Sequence, residues 1–280
     1  MTAPASLQPF YSVAGFMVGF LVGLTGVGGG SLMTPILIVL FGVHPATAVG
    51  TDLLYAAATK TAGSLVHGYN RTVDWRVVRR LAAGSVPMTV VATWALSFID
   101  INGAAARLLI SGVLTVALFV TALALIYRER IVGRYAARIG ALSPERIAAL
   151  TVGVGAALGV LVSVSSVGAG AIGVTALILL YPRLPTARIV GSDIAHAVPL
   201  TLAAGIGHWW LGSINLALLI PLLLGSVPGI VLGSHIVTRV PEKALRLILA
   251  ATLMLVATKL SWDVYATSTP LVTATTSRTR

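Results

Sequence analysis

The sequence has no cysteine and very few charged residues. Of its 280 residues, 10% are Asp, Glu, Lys or Arg, whereas a soluble domain carries about 25%. The lack of cysteine excludes disulfide frameworks, thiolate catalysis, iron–sulfur clusters and cysteine-ligated zinc. The low charge, together with 57% hydrophobic residues and a mean hydropathy of +0.96, excludes a soluble fold and predicts a membrane protein.

Motifs for enzyme chemistry and ATP binding are also missing. The chain contains no GxSxG, HExxH or P-loop sequence. Residues 168–173 match GxGxxG, but they lie in an apolar segment without the strand, βαβ unit and acidic residue of a dinucleotide site. An intramembrane enzyme would need a nucleophile with its base, or a set of metal ligands. We therefore expect no enzymatic activity, no cofactor and no metal site.

Long apolar runs supply the candidate membrane helices. About 20 apolar residues cross a bilayer, and residues 108–127 form the clearest run of this kind. Further candidate spans are residues 48–67, 81–98, 190–208, 215–237 and 245–262. Two glycine-interrupted stretches, residues 10–42 and 146–181, are too long for one span, and pieces of ~20–24 Å are too short for a ~30 Å core. Both are predicted to be broken helical pairs that turn inside the membrane.

The sequence repeats itself with an offset of 140 to 141 residues. GVGGG at residues 26–30 returns as SVGAG at 166–170, Gly50-Thr51-Asp52 as Gly191-Ser192-Asp193, and Gly84-Ser85-Val86-Pro87 as Gly225-Ser226-Val227-Pro228. Ordered matches of this kind predict a duplication. The predicted parts are an N-terminal tail (1–9), a first repeat (10–128), a basic cytoplasmic linker (129–145), a second repeat (146–263) and a C-terminal tail (264–280).

The basic residues predict that the second repeat is inverted relative to the first. If each broken pair enters and leaves the membrane on one side, 14 of the 19 Lys and Arg residues lie inside, as the positive-inside rule expects. If each pair were a single crossing, residues 183, 188, 239, 243 and 246 would move outside. The net charge of +11 then reflects cytoplasmic loops and not nucleic-acid binding. We predict an all-α polytopic protein with six full spans and two broken or re-entrant pairs, or up to ten helical segments.

The two glycine-rich breaks are predicted to form an anion-binding site. Helices that begin after the breaks would direct free backbone N–H groups and positive dipole ends at each other, as broken helices in secondary transporters do around anionic substrates. The candidate substrate-binding residues here are Thr25, Gly28, Gly29, Gly30, Ser31, Ser165, Ser166, Gly168 and Gly170. The alternative is that these glycines only allow close helix packing.

A few ionisable residues inside the spans extend this site, because charge is costly in a membrane and marks function by default. The additional candidates for substrate binding are Thr51, Asp52, Lys60, Ser192 and Asp193. His196 is the candidate for proton coupling. Two alternatives stay open: Asp52 and Asp193 as helix caps, and Lys60 as a residue that snorkels to the inner surface.

Several segments resemble the TauE/SafE sulfite exporter family. They are GLTGVGGGSLMTPIL (23–37), HPATAVGTDLLYAAATKTAGSLVHG (44–68), TVDWRVV (72–78) and the repeated GSVP. The second repeat departs from the glycine-rich pattern, with SSVGAGAIG where the first has TGVGGGSLM. The resemblance implies export of sulfite or a small organosulfonate across the bacterial plasma membrane. The predicted function is secondary transport of such an anion by alternating access, with proton coupling through His196. The alternatives are a passive anion channel and a carrier of another small anion such as a carboxylate.

Overall fold

The computed structural model describes residues 8–25, 30–236 and 242–276, in which ten α-helices and no strands are present. Side chains are described for residues 9–266 except 23–31, 66 and 234–242. The helices are α1 (Gln8–Thr25), α2 (Gly30–Val39), α3 (Pro45–Tyr69), α4 (Trp75–Leu96), α5 (Ala104–Gly140), α6 (Pro144–Ser165), α7 (Ala171–Leu180), α8 (Thr186–Trp210), α9 (Leu216–Ile236) and α10 (Glu242–Thr276). The prediction of an all-α protein is confirmed.

Five stretches of helix within the described residues are long and apolar enough to cross a membrane. They are Ala104–Gly140, Pro144–Ser165, Thr186–Trp210, Leu216–Gly233 and Lys243–Ala266. Large apolar side chains such as Val90, Val116 and Leu224 are exposed on the outer surface, where lipid would solvate them. The chain is therefore a polytopic membrane protein, as predicted.

The helices α1 and α2 form a hairpin whose two ends lie on the same side of the molecule. The ring of Tyr11, near the start of α1, lies 4.7 Å from the ring of Phe41, which follows α2. In the second repeat the hydroxyl of Thr151 in α6 hydrogen-bonds that of Tyr181, just after α7, at 2.8 Å. The two contacts are equivalent, since Thr151 follows Tyr11 by 140 residues and Tyr181 follows Phe41 by 140 residues. The predicted re-entrant pairs are present, with ten-residue second arms that span only ~15 Å. The first arm of the second pair, α6, is longer than predicted, because its 22 residues are enough to cross a membrane.

Close backbone contacts relate the two halves by an approximate two-fold axis. Helix α1 packs on α9, and α6 packs on α4. In the first pair Gly19 touches the backbone of Ser226, and in the second pair Gly159 touches the backbone of Ser85. Each residue and its counterpart are 140 or 141 positions apart, so the same contact is made twice. These glycines in the long arms act in helix packing.

The packing of α3 on α8 shows that the second repeat is inverted. Gly50 near the start of α3 lies beside His208 near the end of α8. Gly63 near the end of α3 lies beside Ile194 near the start of α8. The two helices are counterparts in the duplication and run antiparallel, as inverted repeats require. The boundaries of the predicted tails, repeats and linker stay predictions, although α5 continues as one helix to Gly140.

Most of the described basic residues gather at one face of the bundle. They are Arg71, Arg76, Arg79, Arg80, Arg128, Arg130, Arg134, Arg138, Arg146, Arg183, Arg188, Lys243 and Arg246. Contacts hold these segments at the same end: Arg80 donates to the Tyr181 hydroxyl at 3.1 Å, and Arg246 pairs with Glu129 at 2.5 Å. Arg107 lies at the opposite end, at the start of α5. By the positive-inside rule, we predict that the basic face lies in the cytoplasm.

Candidate functional site

Two serines end α6 at the break of the second repeat. The hydroxyl of Ser165 donates to the carbonyl of Leu161 at 2.7 Å and accepts from the N–H of Val167 at 3.3 Å. Ser166 has a left-handed backbone, with φ of 58°. Its hydroxyl is buried and has no hydrogen-bond partner among the described residues. Of these two predicted site residues, only Ser166 has a hydroxyl free to bind a ligand.

Glycines shape the start of α7. Gly168 and Gly170 both have φ of 123°, a conformation that a side chain with a Cβ disfavours strongly. The N–H of Val174 donates to the carbonyl of Gly170 at 2.8 Å. The N–H groups of Ala171 and Ile172 precede this first bond and have no acceptor within the helix. These groups and the positive end of the helix dipole therefore face the break.

An aspartate lies against the first turn or two of each short helix. Thr34 in α2 donates to Asp52 Oδ2 at 2.6 Å, and Asp193 Oδ1 touches Gly173 in α7, where a Cβ would overlap it. Asp52 and Asp193 are the eighth residues of α3 and α8, so neither caps the helix that carries it. They are 0% and 2% exposed. The helix dipoles of α2 and α7 favour negative charge at both places.

Lys60 lies close enough to both carboxylates to interact with them electrostatically, and more strongly with Asp193 than with Asp52. Its side chain is 6% exposed. No hydrogen bond, and no ion pair within 4.0 Å, joins it to another described residue. Lys60 therefore does not snorkel to the surface. Its ammonium group remains available to a ligand, and its counterpart in the second repeat, Thr201, carries no charge.

His196 is buried one turn along α8 from Asp193. Its Nε2 lies 2.8 Å from the hydroxyl of Ser85 in α4, while its Nδ1 has no partner among the described residues. Lys60 lies within electrostatic range of the ring. The counterpart of His196 in the first repeat is Tyr55, and the counterpart of Ser85 is Ser226 in α9. Both side chains are buried, with 1% and 0% exposed.

Unpartnered polar atoms concentrate where these groups meet. Of the nine such buried atoms in the described part of the chain, four lie here: Asp52 Oδ1, Ser166 Oγ, Asp193 Oδ1 and His196 Nδ1. The Ser166 hydroxyl faces the Asp52 carboxyl. Asp52, which Thr34 of α2 contacts, and Asp193, which lies beside Gly173 of α7, are both within electrostatic range of Lys60. Both short helices therefore contribute to one site. Since an unsatisfied buried polar group is costly, this concentration indicates a ligand site.

Two predicted site residues have other partners. Thr51 Oγ1 accepts from the N–H of Asn215 at 3.1 Å, and Ser192 Oγ accepts from the N–H of Asp74 at 2.8 Å. These equivalent bonds tie the segments before α9 and α4 to α3 and α8. We therefore leave both hydroxyls out of the proposed ligand site.

The first break is described only in part. Gly28 and Gly29 lie outside the described residues, and Thr25, Gly30 and Ser31 are described as helix backbone at the end of α1 and the start of α2. Their predicted role in substrate binding stays a prediction.

Sequence reasoning missed two partners of the site, Thr34 and Ser85. Ser85 belongs to the repeated GSVP motif, so its duplication was a usable signal. Thr34 shares no motif with Asp52 from which their contact could be read. Their pairing depends on how the hairpin folds against α3.

An inverted-repeat helical bundle with a buried polar site at re-entrant breaks is the architecture of a membrane transporter. The chain belongs to the sulfite exporter TauE/SafE family, which matches residues 11–260. It is 38% identical over 247 residues to the "Probable membrane transporter protein YjnA" of Bacillus subtilis, covering 88% of this chain and 96% of that protein. A "Probable membrane transporter protein" of Xylella fastidiosa is 27% identical over 236 residues, covering 81% of this chain and 83% of that protein. No solved structure matches the chain significantly. The protein is a multi-pass bacterial membrane transporter.

Proposed function

We propose that the protein is a secondary transporter that exports a small sulfur oxyanion, sulfite or an organosulfonate, across the plasma membrane by alternating access. The observation that carries the proposal is the group of unpartnered polar atoms around Lys60 at the start of α7. The amides of α7, the Ser166 hydroxyl and the Lys60 ammonium group can all donate hydrogen bonds. An oxyanion accepts several such bonds at once and needs no fixed positive charge beyond Lys60.

The two carboxylates make proton binding part of this proposal. With Asp52, Asp193 and Lys60 all ionised, the site holds two negative charges and one positive charge, and a further anion is repelled. One proton on either aspartate makes the three groups neutral, and two protons make them positive. We infer that the anion moves together with at least one proton. His196, whose Nδ1 is unpartnered, is the neighbouring group that can exchange this proton.

Sulfite efflux from proteoliposomes tests this function. We expect saturable efflux, competition by sulfonates that exceeds competition by sulfate or a carboxylate, and stimulation by an imposed pH gradient. Strong competition by the carboxylate would assign another small anion as substrate. Unitary currents in planar bilayers would indicate a passive channel. An absence of sulfur oxyanion flux, with protein that elutes as a single folded species, would contradict the proposed substrate class.

A further inference from the structure

Two cavities lie at opposite faces of the bundle, each between a re-entrant hairpin and the pair α5–α10. The outer cavity, of about 290 Å³, is lined by Ile38, Pro45, Arg107, Ser111, Leu260 and Asp263 among others. The inner cavity, of about 350 Å³, is lined by Arg128, Glu129, Val132, Ile178, Thr186 and Arg246 among others. The inner cavity opens at the basic face, and the outer cavity lies at the opposite end.

The two cavities are one feature built twice. Ile38 lies in the last turn of the short helix of the first repeat, and Ile178, 140 residues later, lies in the last turn of that of the second. Pro45 and Thr186 are the first residues of α3 and α8, and Arg107 and Arg246 lie close to the starts of α5 and α10. The approximate two-fold axis of the fold therefore exchanges the outer and the inner cavity.

A lining residue of each cavity lies on the same helix as one aspartate of the central site. Pro45 precedes Asp52 by seven residues on α3, and Thr186 precedes Asp193 by seven residues on α8. Both intervals correspond to ~10 Å along a helix. On the short helix of the first repeat, Ile38 is one turn beyond Thr34, which binds Asp52. The cavities thus end about two helical turns from the two buried carboxylates.

The cavities differ in the state of their arginines. In the inner cavity Arg246 is paired with Glu129 at 2.5 Å, and the Glu129 side chain is 66% exposed. In the outer cavity Arg107 has no ion pair within 4.0 Å among the described residues. A guanidinium group presents a planar set of donors that suits an oxyanion. Exposed ion pairs such as Arg246–Glu129 in the inner cavity are weak, so an anion can replace the Glu129 carboxylate.

We propose that the two cavities are peripheral binding sites for the transported oxyanion, with Arg107 as the outer and Arg246 as the inner anchoring residue. This inference rests on the proposed function. An exported anion binds at Arg246, displaces Glu129, passes the central site and leaves past Arg107. Glu129 competes with the anion for Arg246 and so weakens binding from the cytoplasmic side.

Sided flux measurements test this proposal. Sulfite concentration is varied on one face of oriented proteoliposomes at a time, and the half-saturating concentration is determined for each face. We expect Arg246→Gln to raise this concentration about tenfold at the cytoplasmic face and to leave the outer face within about twofold, because one charge-assisted hydrogen-bonding group is lost. Arg107→Gln should have the reverse effect.

Matched variants control for general loss of positive charge. Arg130 is exposed on the same helix as Arg128 and lies over the ring of Tyr127. Lys259 is exposed near the outer end of α10, where it donates to the carbonyl of Val39 at 3.4 Å. Neither residue lines the cavities. Arg130→Gln and Lys259→Gln should leave both half-saturating concentrations unchanged.

Glu129→Gln keeps Arg246 and tests the competition separately. We expect it to lower the half-saturating concentration at the cytoplasmic face by only about threefold, since exposed ion pairs are weak. Unchanged values at both faces in all three cavity variants, with an active wild type, would overturn the peripheral sites and leave the central site standing. An absence of flux in the folded wild type would instead overturn the proposed function.

Discussion

Asp52 and Asp193 hold equivalent positions but have different neighbours. A threonine hydroxyl donates to Asp52 at 2.6 Å, whereas the matching turn of α7 presents Gly173 to Asp193. A donated hydrogen bond stabilises the ionised carboxylate, and Asp193 has no such side-chain donor among the described residues. Asp193 is therefore the better placed of the two to gain and lose a proton during transport.

Asp193→Asn tests this difference between the aspartates. The amide keeps the shape of the side chain but cannot exchange a proton, so we expect sulfite flux to persist without stimulation by a pH gradient. The measurement is proteoliposome flux with and without that gradient. Asp100→Asn, on the exposed loop before α5, should behave as wild type. Full stimulation in Asp193→Asn would remove this carboxyl from the proton path.

Gly170 is a second residue whose role rests on a local property. An alanine at φ of 123° costs about 1–3 kcal/mol in backbone strain. A backbone change that relieves this strain would reorient the first N–H groups of α7. Gly170→Ala should reduce transport more than tenfold in a flux assay. Gly153→Ala, with nothing within 4 Å of the added Cβ, supplies the control. Wild-type flux in Gly170→Ala would contradict a role for the α7 amides.

At the scale of helices, the contact of α4 with α6 positions the site. Gly159 touches the backbone of Ser85, and the hydroxyl of Ser85 contacts His196 Nε2 at 2.8 Å. A methyl group on Gly159 would separate the two helices and displace Ser85, because the neighbouring atoms are backbone and cannot move aside.

Gly159→Ala should therefore lower stability by about 1–3 kcal/mol. Thermal unfolding in detergent measures this as a lower melting temperature. The matched control is Gly112→Ala in α5, where the added Cβ meets open space and helix propensity favours alanine. Equal melting temperatures for the two variants would contradict a close backbone contact between α4 and α6 at Gly159.

The helices also show how far the sequence predicts this fold. The hairpins and the inverted repeats could be predicted from three features of the sequence. These are the lengths of the apolar runs, the 140-residue repeat and the positions of the basic residues. Helix ends were not predicted, since α5 extends to Gly140, well past residue 127. Charge is costly only inside the bilayer, so an Arg-rich segment can continue the helix into water. The pairing of Thr34 with Asp52 could not be predicted because it arises from tertiary packing.

At the scale of the whole molecule, the antiparallel counterparts and the basic face fix an orientation in the membrane. The loop around Ala141, between α5 and α6, should lie in the cytoplasm, and the loop around Asn102, before α5, should lie outside. Both residues are exposed. The native chain contains no cysteine, so single introduced cysteines report their side without a background.

Labelling of intact cells with a membrane-impermeant maleimide checks this orientation. We expect Asn102→Cys to react and Ala141→Cys to react only after the membrane is opened. Reaction of both variants in intact cells would contradict this orientation, because α5 crosses the membrane once between the two loops.

We propose that Lys60, buried among two carboxylates and the start of α7, binds the transported oxyanion. The initial rate of sulfite efflux from proteoliposomes tests it most directly, compared among the wild type, Lys60→Gln and the exposed control Lys259→Gln. We expect saturable efflux by the wild type and the control, and at least about a tenfold loss in Lys60→Gln, since a buried charged partner of the anion is removed. Equal efflux by Lys60→Gln and the wild type would contradict it.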